Sequence, residues 1–543
     1  MKINRRRWSA LVWVSSAMSI GLFATACGGT STSGSGDAPE SATFVYAIPQ
    51  DFQGVDRAFY SSEAAKTIGD VMHSRLLELA TDGTTPTSCM SGVPTRIEAE
   101  SPLVERWHVT GDGMGIDITL KPDVKSAQGN VLTAADVVWT MDRAKAIDTG
   151  AQTLFFNVGG FDRVNTVTVK SPTELTFNLT KPRAISPYVL AGNSALILDS
   201  TAAKANATAD DPWATKYLTD HTANFGPWDL TGFDSQQLTF SPNPNYAGER
   251  GNVDSVVLKT VSDSSTRIQL IQSAQVSETN GLDYSQLAQL KSSTGVGLVQ
   301  CQSPARDWLG LNGSDPVLGK PEVRAAISLA LDRTAISQAI YRDFARPSES
   351  GLSQAFATQA GSNYETDKVK ARELLTKAGV PEDFGFRLSV SAAQPGPYSA
   401  NLAVLIQQQL ADVGLKVEIV NVPSAVQFKS DGLAHKMQAW LQAETPAFAN
   451  AGYSAWLTAG CAGLQNYMGY CNPELDAVAS ELMVNSQNAD AAQKQQRLSQ
   501  IIDRDQPAIY LIDRSTISVR SRCAESVPTA AFGTDYTKAV VTC

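Results

Sequence analysis

The sequence predicts an α/β protein. Segments with the two-residue period of a strand alternate with segments of helical period along the chain after residue 42. The clearest unit is a strand at 386–390, a helix at 402–413 that ends at Gly414, and a second strand at 415–422. Such a unit places parallel strands side by side through a right-handed crossover. No internal repeat is visible in the sequence.

The first half of the chain carries most of the predicted strands. A capping box at Thr133–Asp136 predicts the start of a helix that runs through Met141. Turn residues Ser171 and Pro172 separate two strand-like runs. The predicted strands are 43–48, 116–120, 164–169, 175–179, 238–241 and 256–261, followed by a helix at 262–275.

The second half carries the longer predicted helices. Pro321 suits the first position of a helix that places apolar residues on one face through Leu331. A second helix is expected at 365–378, where Gly379 and then Pro381 end it.

The first 26 residues have the layout of a secretion signal. Lys2 and three arginines precede an apolar stretch from Trp8 to Phe23, and small residues then lead into Cys27. The serines in this stretch leave it short of the roughly 20 apolar residues that a spanning helix needs. Ala24-Thr25-Ala26-Cys27 resembles a bacterial lipobox, so we expect Cys27 to carry lipid. The arginines leave open whether export follows the general or the twin-arginine route.

A flexible tether and an acidic body are expected after Cys27. Residues 28–41 are rich in Gly, Ser and Thr without apolar periodicity, which favours a flexible coil. Removal of the four positive residues of segment 1–26, which holds no acid, changes the formal charge from −10 to −14. An acidic body argues against a nucleic-acid partner. With 43% apolar and 18% charged residues the composition is globular.

Cysteine usage agrees with export. An even number of cysteines remains beside Cys27, as disulfides in an oxidising compartment would leave. Spacing favours the short loops Cys461–Cys471 and Cys523–Cys543, and Cys89–Cys301 is then the remaining pair. The sequence has no CxxC motif, and the four histidines are scattered, so no metal site is expected.

Enzyme motifs are not found in the sequence. It has no G-x-S-x-G nucleophile elbow, no phosphate-binding loop, no H-E-x-x-H and no dinucleotide-binding glycine motif. Acid pairs such as Asp503 and Asp505 are expected by chance among 54 acids. We therefore expect no enzyme and no cofactor, and an exported hydrolase with dispersed catalytic residues is the lesser alternative.

Five landmarks follow one another in a consistent order along the chain. They are LVERW at 103–107, IDITLKPDVK at 116–125, GNVLTAADVVW at 129–139, GPW at 226–228 followed by NPNY at 243–246, and LN at 311–312 followed by VRAAISLALDR at 323–333. In this order they resemble the family 5 extracellular solute-binding proteins of ABC importers, which include dipeptide- and oligopeptide-binding proteins. The best match is GNVLTAADVVW, which is similar to the family's "DG-x-P-h-T-A-x-D-V-x-F/W", where h is apolar.

The sequence departs from the family pattern at three places. DGMG at 112–115 keeps only part of one motif, and segment 81–100, which contains Cys89, resembles an insertion. The family's acidic pocket motif "W-x-A-D-Y-x-x-P" is represented only by Trp440 to Pro446, with Glu444 one position late in place of Asp. This departure leaves the identity of the solute open.

The resemblance implies a two-lobed periplasmic-binding-protein-like fold of type II, with a hinge between the lobes. Lobe I, with an inserted subdomain, is expected at 42–300, lobe II at 301–509, and the return to lobe I at 510–543. A solute would bind between the lobes as they close.

Matching positions imply the candidate site residues. Glu444 would pair with a peptide's α-ammonium, and Trp440 would form an apolar wall. Tyr453 and Trp456 are further candidates, although large aromatic residues more often belong to a core. The loop 49–60 after the first strand is also a candidate because ligands of open α/β folds lie beyond the carboxyl ends of strands.

The resemblance also implies partners and location. We expect a monomeric lipoprotein on the outer face of the cell membrane that hands a solute, most readily a peptide, to an ABC permease. A non-peptide solute such as a sugar, an opine or a metal chelate is the first alternative.

Overall fold

The structure, a computed structural model, describes residues 42–543 except 57–62, 73–74, 81–96, 148–151, 193–194, 343, 357–363, 449, 485–489 and 530–532. The predictions for the signal, Cys27, the tether and Cys89 therefore lie outside the described residues. Within the described part of the chain, no helix has the length and apolar character needed to cross a membrane.

The strands form one large sheet, a separate four-stranded sheet and a hairpin. The four-stranded sheet has the order β2-β3-β5-β4, and the hairpin pairs β16 with β17. The strands are β1 (Thr43–Ile48), β2 (Val104–Val109), β3 (Gly115–Leu120), β4 (Val167–Val169), β5 (Glu174–Asn178), β6 (Trp228–Phe233), β7 (Gln237–Pro242), β8 (Ser255–Thr260), β9 (Glu278–Thr279), β10 (Val296–Leu311), β11 (Ala345–Pro347), β12 (Gly385–Val390), β13 (Lys416–Asn421), β14 (Ala439–Glu444), β15 (Ala508–Ser521), β16 (Ala524–Thr529) and β17 (Gly533–Val541).

Helices lie on both faces of the large sheet, and others pack against the four-stranded sheet. They are α1 (Glu63–Met72), α2 (Ala134–Ala146), α3 (Ser186–Leu190), α4 (Ser200–Ala205), α5 (Ser264–Gln272), α6 (Tyr284–Leu290), α7 (Pro321–Ala330), α8 (Arg333–Ile336), α9 (Lys368–Lys377), α10 (Ser399–Ala411), α11 (Ala425–Leu433), α12 (Ala451–Ala459), α13 (Pro473–Val484) and α14 (Ala491–Asp505). Thr153–Val158 and Ser337–Tyr341 are π-helical, and Tyr217–Thr219 is a 3₁₀ turn.

The predicted elements are present with small shifts at their ends. Two helices begin later than predicted because an aspartate caps each: the Asp263 carboxylate accepts from the Thr266 N–H at 2.7 Å, and that of Asp367 accepts from the Lys370 N–H at 2.8 Å. The capping box at the start of α2 is confirmed, since the Asp136 carboxylate accepts from the Thr133 N–H at 2.8 Å. The parallel pairing of β12 with β13 confirms the predicted strand–helix–strand unit.

Two long antiparallel strands, β10 and β15, lie at the centre of the large sheet. Its order is β13-β12-β14-β10-β15-β9-β1-β8-β7-β6, and β11 pairs with β15 beside this path. We call residues 42–295 the N-terminal part and residues 312–507 the C-terminal part. Within the large sheet, strands of the N-terminal part lie on the β15 side, and strands of the C-terminal part lie mainly on the β10 side. The predicted lobe limits at 300 and 510 fall inside β10 and β15.

Hydrophobic clusters lie on both faces of this sheet. Strand β14 is buried at every position, so Leu441 packs into one cluster while Trp440 packs into the cluster on the opposite face. Another cluster is shared by the N-terminal and C-terminal parts, in which Phe448, Tyr453 and Leu457 pack with residues such as Phe155. The two parts are therefore in direct contact.

Two predicted disulfides are present. Cys461 is bonded to Cys471 and Cys523 to Cys543. Cys301 is buried in β10, and its predicted partner Cys89 lies outside the described residues.

Candidate functional site

Three charged residues lie in a row across the central strands. Arg306 on β10 is the cross-strand partner of Glu444 on β14 and of Asp513 on β15. The Arg306 Nε donates to the Asp513 carboxylate at 2.9 Å, and its two Nη atoms donate to backbone carbonyls of Ser350 and Gly351. Each nitrogen of the Arg306 guanidinium thus has a partner other than Glu444, and among the ion pairs of the described residues none includes Glu444.

The Glu444 carboxylate is held by hydroxyl groups from α12. Ser454 and Thr458, one turn apart on the same helix face, donate to its two oxygens, the latter at 2.8 Å. Glu444 is only 1% exposed. Burial raises its pKa to about 7, although Arg306 and the two hydroxyls favour the charged form. The group therefore gains or loses its proton near neutral pH, and each oxygen retains a lone pair for a further donor.

Trp440 lies on the same face of β14 as Glu444 and is 1% exposed. Its indole packs edge-on against Trp308, with ring centroids 6.2 Å apart, and its Nε1 donates to the Gln442 side chain at 3.0 Å. The indole also lies over Gly310, where a Cβ would approach Trp440 Cε2 to 2.3 Å. The absence of a side chain at Gly310 therefore leaves the space that the Trp440 indole occupies.

Tyr453 and Trp456 lie on another face of α12, directed at the N-terminal part. The Asn450 side chain caps this helix by accepting from the Tyr453 N–H at 2.9 Å. Tyr453 is buried between Phe448 and Trp456, at centroid distances of 5.1 and 6.2 Å. Trp456 is partly exposed. The structure thus separates the four predicted residues into two pairs on two sides of α12.

Trp456 borders a cavity of about 210 Å³ between the two parts of the chain. We call it the Arg183 cavity. Its walls are formed by Asn157, Val158, Arg183, Trp456, Asp476, Ser480 and Met483.

The described residues of the candidate loop after β1, 49–56, are bound to neighbouring elements. Asp56 forms a buried ion pair with Arg143 of α2, and the Val55 N–H donates to the Thr219 carbonyl at 2.8 Å. Residues 57–60 of this loop lie outside the described residues. In the described ranges, no group of three or more His, Cys, Asp or Glu side chains is placed to hold a metal ion.

Sequence reasoning missed Arg306, Ser454, Thr458 and Arg183. The spacing of Ser454 and Thr458 after an acidic motif was a usable signal, because residues four apart share a helix face. Nothing in the sequence around Arg306 or Arg183 pointed to a role in a site, because only the folded chain brings these residues next to their neighbours.

Comparison with known proteins places these features in a family. A sequence model of the bacterial extracellular solute-binding proteins, family 5 Middle, matches residues 98–466. The glutathione-binding protein GsiB of Escherichia coli O1:K1 is 23% identical over 446 residues, which cover 79% of this chain and 84% of GsiB.

Solved structures agree along nearly the whole chain. The periplasmic binding protein DppA from Helicobacter pylori, in complex with the peptide STSA, matches with a TM-score of 0.78 and 19% identity over 93% of this chain and 98% of DppA. The binding protein AgaA from A. tumefaciens R10, in complex with agropinic acid, matches with a TM-score of 0.76 and 18% identity over 92% and 99%. The family resemblance and the two-lobed α/β fold predicted from the sequence are confirmed.

Proposed function

Because the chain belongs to the bacterial extracellular solute-binding proteins of family 5, we propose that it captures a peptide between its N-terminal and C-terminal parts and delivers it to an ABC permease. The observation that carries the proposal is the meeting of these parts along α12, with the Arg183 cavity between them. GsiB is named for glutathione and DppA holds a tetrapeptide, which supports a peptide solute. Family proteins bind solutes without transforming them, so the expectation that the chain is not an enzyme is confirmed.

Closure of the two parts is the proposed mechanism. The Ala184 and Ile185 N–H groups donate to the carbonyls of Val484 and Met483, at 2.7 and 3.1 Å, across the division between the parts. A solute that contacts both parts favours the closed arrangement by its differential affinity for that arrangement. The chain passes from the N-terminal to the C-terminal part through β10 and returns through β15, and these two strands would serve as the hinge.

Glu444 remains our candidate for the partner of the peptide α-ammonium. Its oxygens each accept one hydroxyl hydrogen bond and can accept another. An ammonium group in this buried position would relieve the cost of the ionised carboxylate. Trp440, Tyr453 and Trp456 are proposed as apolar neighbours of the solute, with Trp456 the most accessible of the three.

The lipid anchor is a second component of the proposal. A lipidated Cys27 and the tether at 28–41 would keep the binding body beside a membrane permease as a monomer. Radiolabelled palmitate should label the expressed wild-type protein and should not label Cys27→Ser. Equal labelling of both proteins would refute the anchor without affecting the solute proposal.

A ligand screen tests the peptide proposal against its alternative. AgaA holds agropinic acid, so the non-peptide alternative also has an observation behind it. Thermal unfolding would be followed with Ser-Thr-Ser-Ala, glutathione, agropinic acid, a sugar panel and a nickel–histidine chelate. A ligand that binds only the folded state at 100 times its Kd adds about 2.7 kcal/mol and raises the midpoint. If agropinic acid, a sugar or the chelate raised the midpoint while both peptides failed, the peptide proposal would be wrong. Turnover of a ligand would instead support the hydrolase.

A further inference from the structure

Arg183 lies in one wall of the Arg183 cavity with part of its hydrogen-bonding capacity unused. Its Nη1 donates to the Val158 carbonyl at 2.9 Å, while its buried Nε has no hydrogen-bond partner among the described residues. Burial lowers the pKa of this guanidinium. Of the ion pairs found within the described ranges, none involves Arg183. A desolvated cation without an acid beside it gains from an anion supplied by a ligand.

The backbone beneath Arg183 is shaped to hold it. Gly160 adopts a φ of +71°, and a Cβ there would lie 2.7 Å from both Cδ and Nε of Arg183. The left-handed conformation favours glycine at this position, and the absence of a Cβ leaves the space that the Arg183 side chain occupies. The half-buried guanidinium is thus held by the Val158 carbonyl on one side and packs over Gly160 on the other.

The opposite wall comes from the C-terminal part. Asp476, Ser480 and Met483 recur at spacings of four and three along α13, so they share one helix face. Oδ1 of Asp476 accepts from the Cys461 N–H at 3.1 Å, and the carboxylate can accept further donors. Trp456 adds an aromatic surface. Backbone hydrogen bonds from the Ala184 and Ile185 N–H groups to the last two residues of α13 hold this wall beside Arg183.

The cavity is too small for a whole peptide and suits one terminal unit. Its volume of about 210 Å³ is below the roughly 300–1,000 Å³ of ordinary ligand pockets. The cation, the acid and the apolar surfaces of Trp456 and Met483 together match an amino-acid unit with a carboxylate, an N–H donor and a side chain. A neutral sugar would leave the guanidinium unpaired.

We infer that the Arg183 cavity binds the carboxylate-bearing terminal residue of the solute, with the carboxylate on Arg183, an N–H group on Asp476 and the side chain against Trp456. This inference rests on the proposed peptide function and specifies which end of the peptide enters the cavity. Because the walls belong to different parts of the chain, occupation of the cavity would also favour closure.

Matched ligands test the inference on the intact wild-type protein. Binding of Ser-Thr-Ser-Ala would be compared with that of its C-terminal amide by isothermal titration calorimetry. A charge-assisted pair lost on amidation corresponds to a weakening of about 10- to 100-fold. The same pair of ligands would then be measured on Arg183→Gln, where the acid should weaken to the affinity of the amide while the amide itself is unchanged.

Arg387→Gln is the control variant, because it removes the same charge from an exposed site on β12 outside the cavity. It should keep the full preference for the free acid. Thermal unfolding of each ligand-free variant checks its folding, and the wild-type comparison stands even if Arg183→Gln does not fold. Equal wild-type affinity for the acid and the amide would overturn the inference and leave the peptide function intact. If neither tetrapeptide form nor glutathione bound, the proposed function would fall, and the inference with it.

Discussion

Replacement of Glu444 by glutamine should make the stability difference between variant and wild type depend on pH. Burial raises the pKa of Glu444 from 4.5 to about 7 in the folded protein. The folded state therefore binds this proton more tightly than the unfolded chain does. The carboxyl contributes its full stabilisation below about pH 4.5, and this contribution falls as the pH rises through 7.

The size of this change in stability follows from the difference between the pKa values of Glu444 in the unfolded and folded states. About 2.5 pH units at about 1.4 kcal/mol each give roughly 3 kcal/mol lost by the wild type as the carboxyl ionises. Glutamine keeps the carbonyl acceptor for a hydroxyl of α12 and carries no charge. The stability of Glu444→Gln relative to wild type should therefore rise by about 3 kcal/mol between about pH 4.5 and pH 8.

Urea unfolding at a series of pH values measures this difference. Circular dichroism would give the unfolding free energy of wild type, Glu444→Gln and the control Glu382→Gln, which lies exposed in a loop. The control should follow the wild type at every pH. A constant difference between Glu444→Gln and wild type over this range would refute the view that Glu444 is buried with its proton held near neutral pH.

Three further expectations can be tested together. If Glu444 binds an ammonium group, affinity for Ser-Thr-Ser-Ala should increase by roughly tenfold or more between about pH 5 and pH 7, as the carboxyl ionises. An affinity that calorimetry finds independent of pH would contradict this role. Replacing both Cys461 and Cys471 by serine should lower the unfolding free energy by roughly 3 kcal/mol, because the unfolded chain loses the loop that the disulfide closes. An unchanged midpoint of urea unfolding would count against this contribution of the disulfide. Gly310→Ala should cost about 1–3 kcal/mol and alter tryptophan fluorescence by displacing Trp440, and an unchanged spectrum with unchanged stability would show that the indole has room to move.

The α/β class and the order of elements followed from local patterns. Residues that cap helices act on their own neighbours, so Thr133 with Asp136 predicted the start of α2 correctly. The short-loop disulfides were also predictable, because cysteines close in sequence meet at little entropic cost. The long strands β10 and β15 were not predicted. Strand β10 is buried at every position from Ser303 to Leu311, and β15 is buried at both ends but half-buried in its middle, so neither strand keeps one alternating pattern along its length.

The candidate site was only partly accessible from the sequence. The family motif pointed to Trp440 and Glu444, but it did not reveal that Ser454 and Thr458 hold the carboxylate or that Arg306 lies beside it. Those partners depend on cross-strand register and on the docking of α12, which are set by packing across the whole sheet.

By itself the sequence determined the fold class, the family resemblance and the expectation of an exported, lipid-anchored binding protein, because local periodicity and motif order carry that information. The tertiary structure alone decided the electrostatic state of Glu444, since a pKa depends on burial and on charges brought near by folding. It also decided the existence of the Arg183 cavity, whose walls come from distant segments. A cavity is a property of the space between side chains, and only the packed chain defines that space.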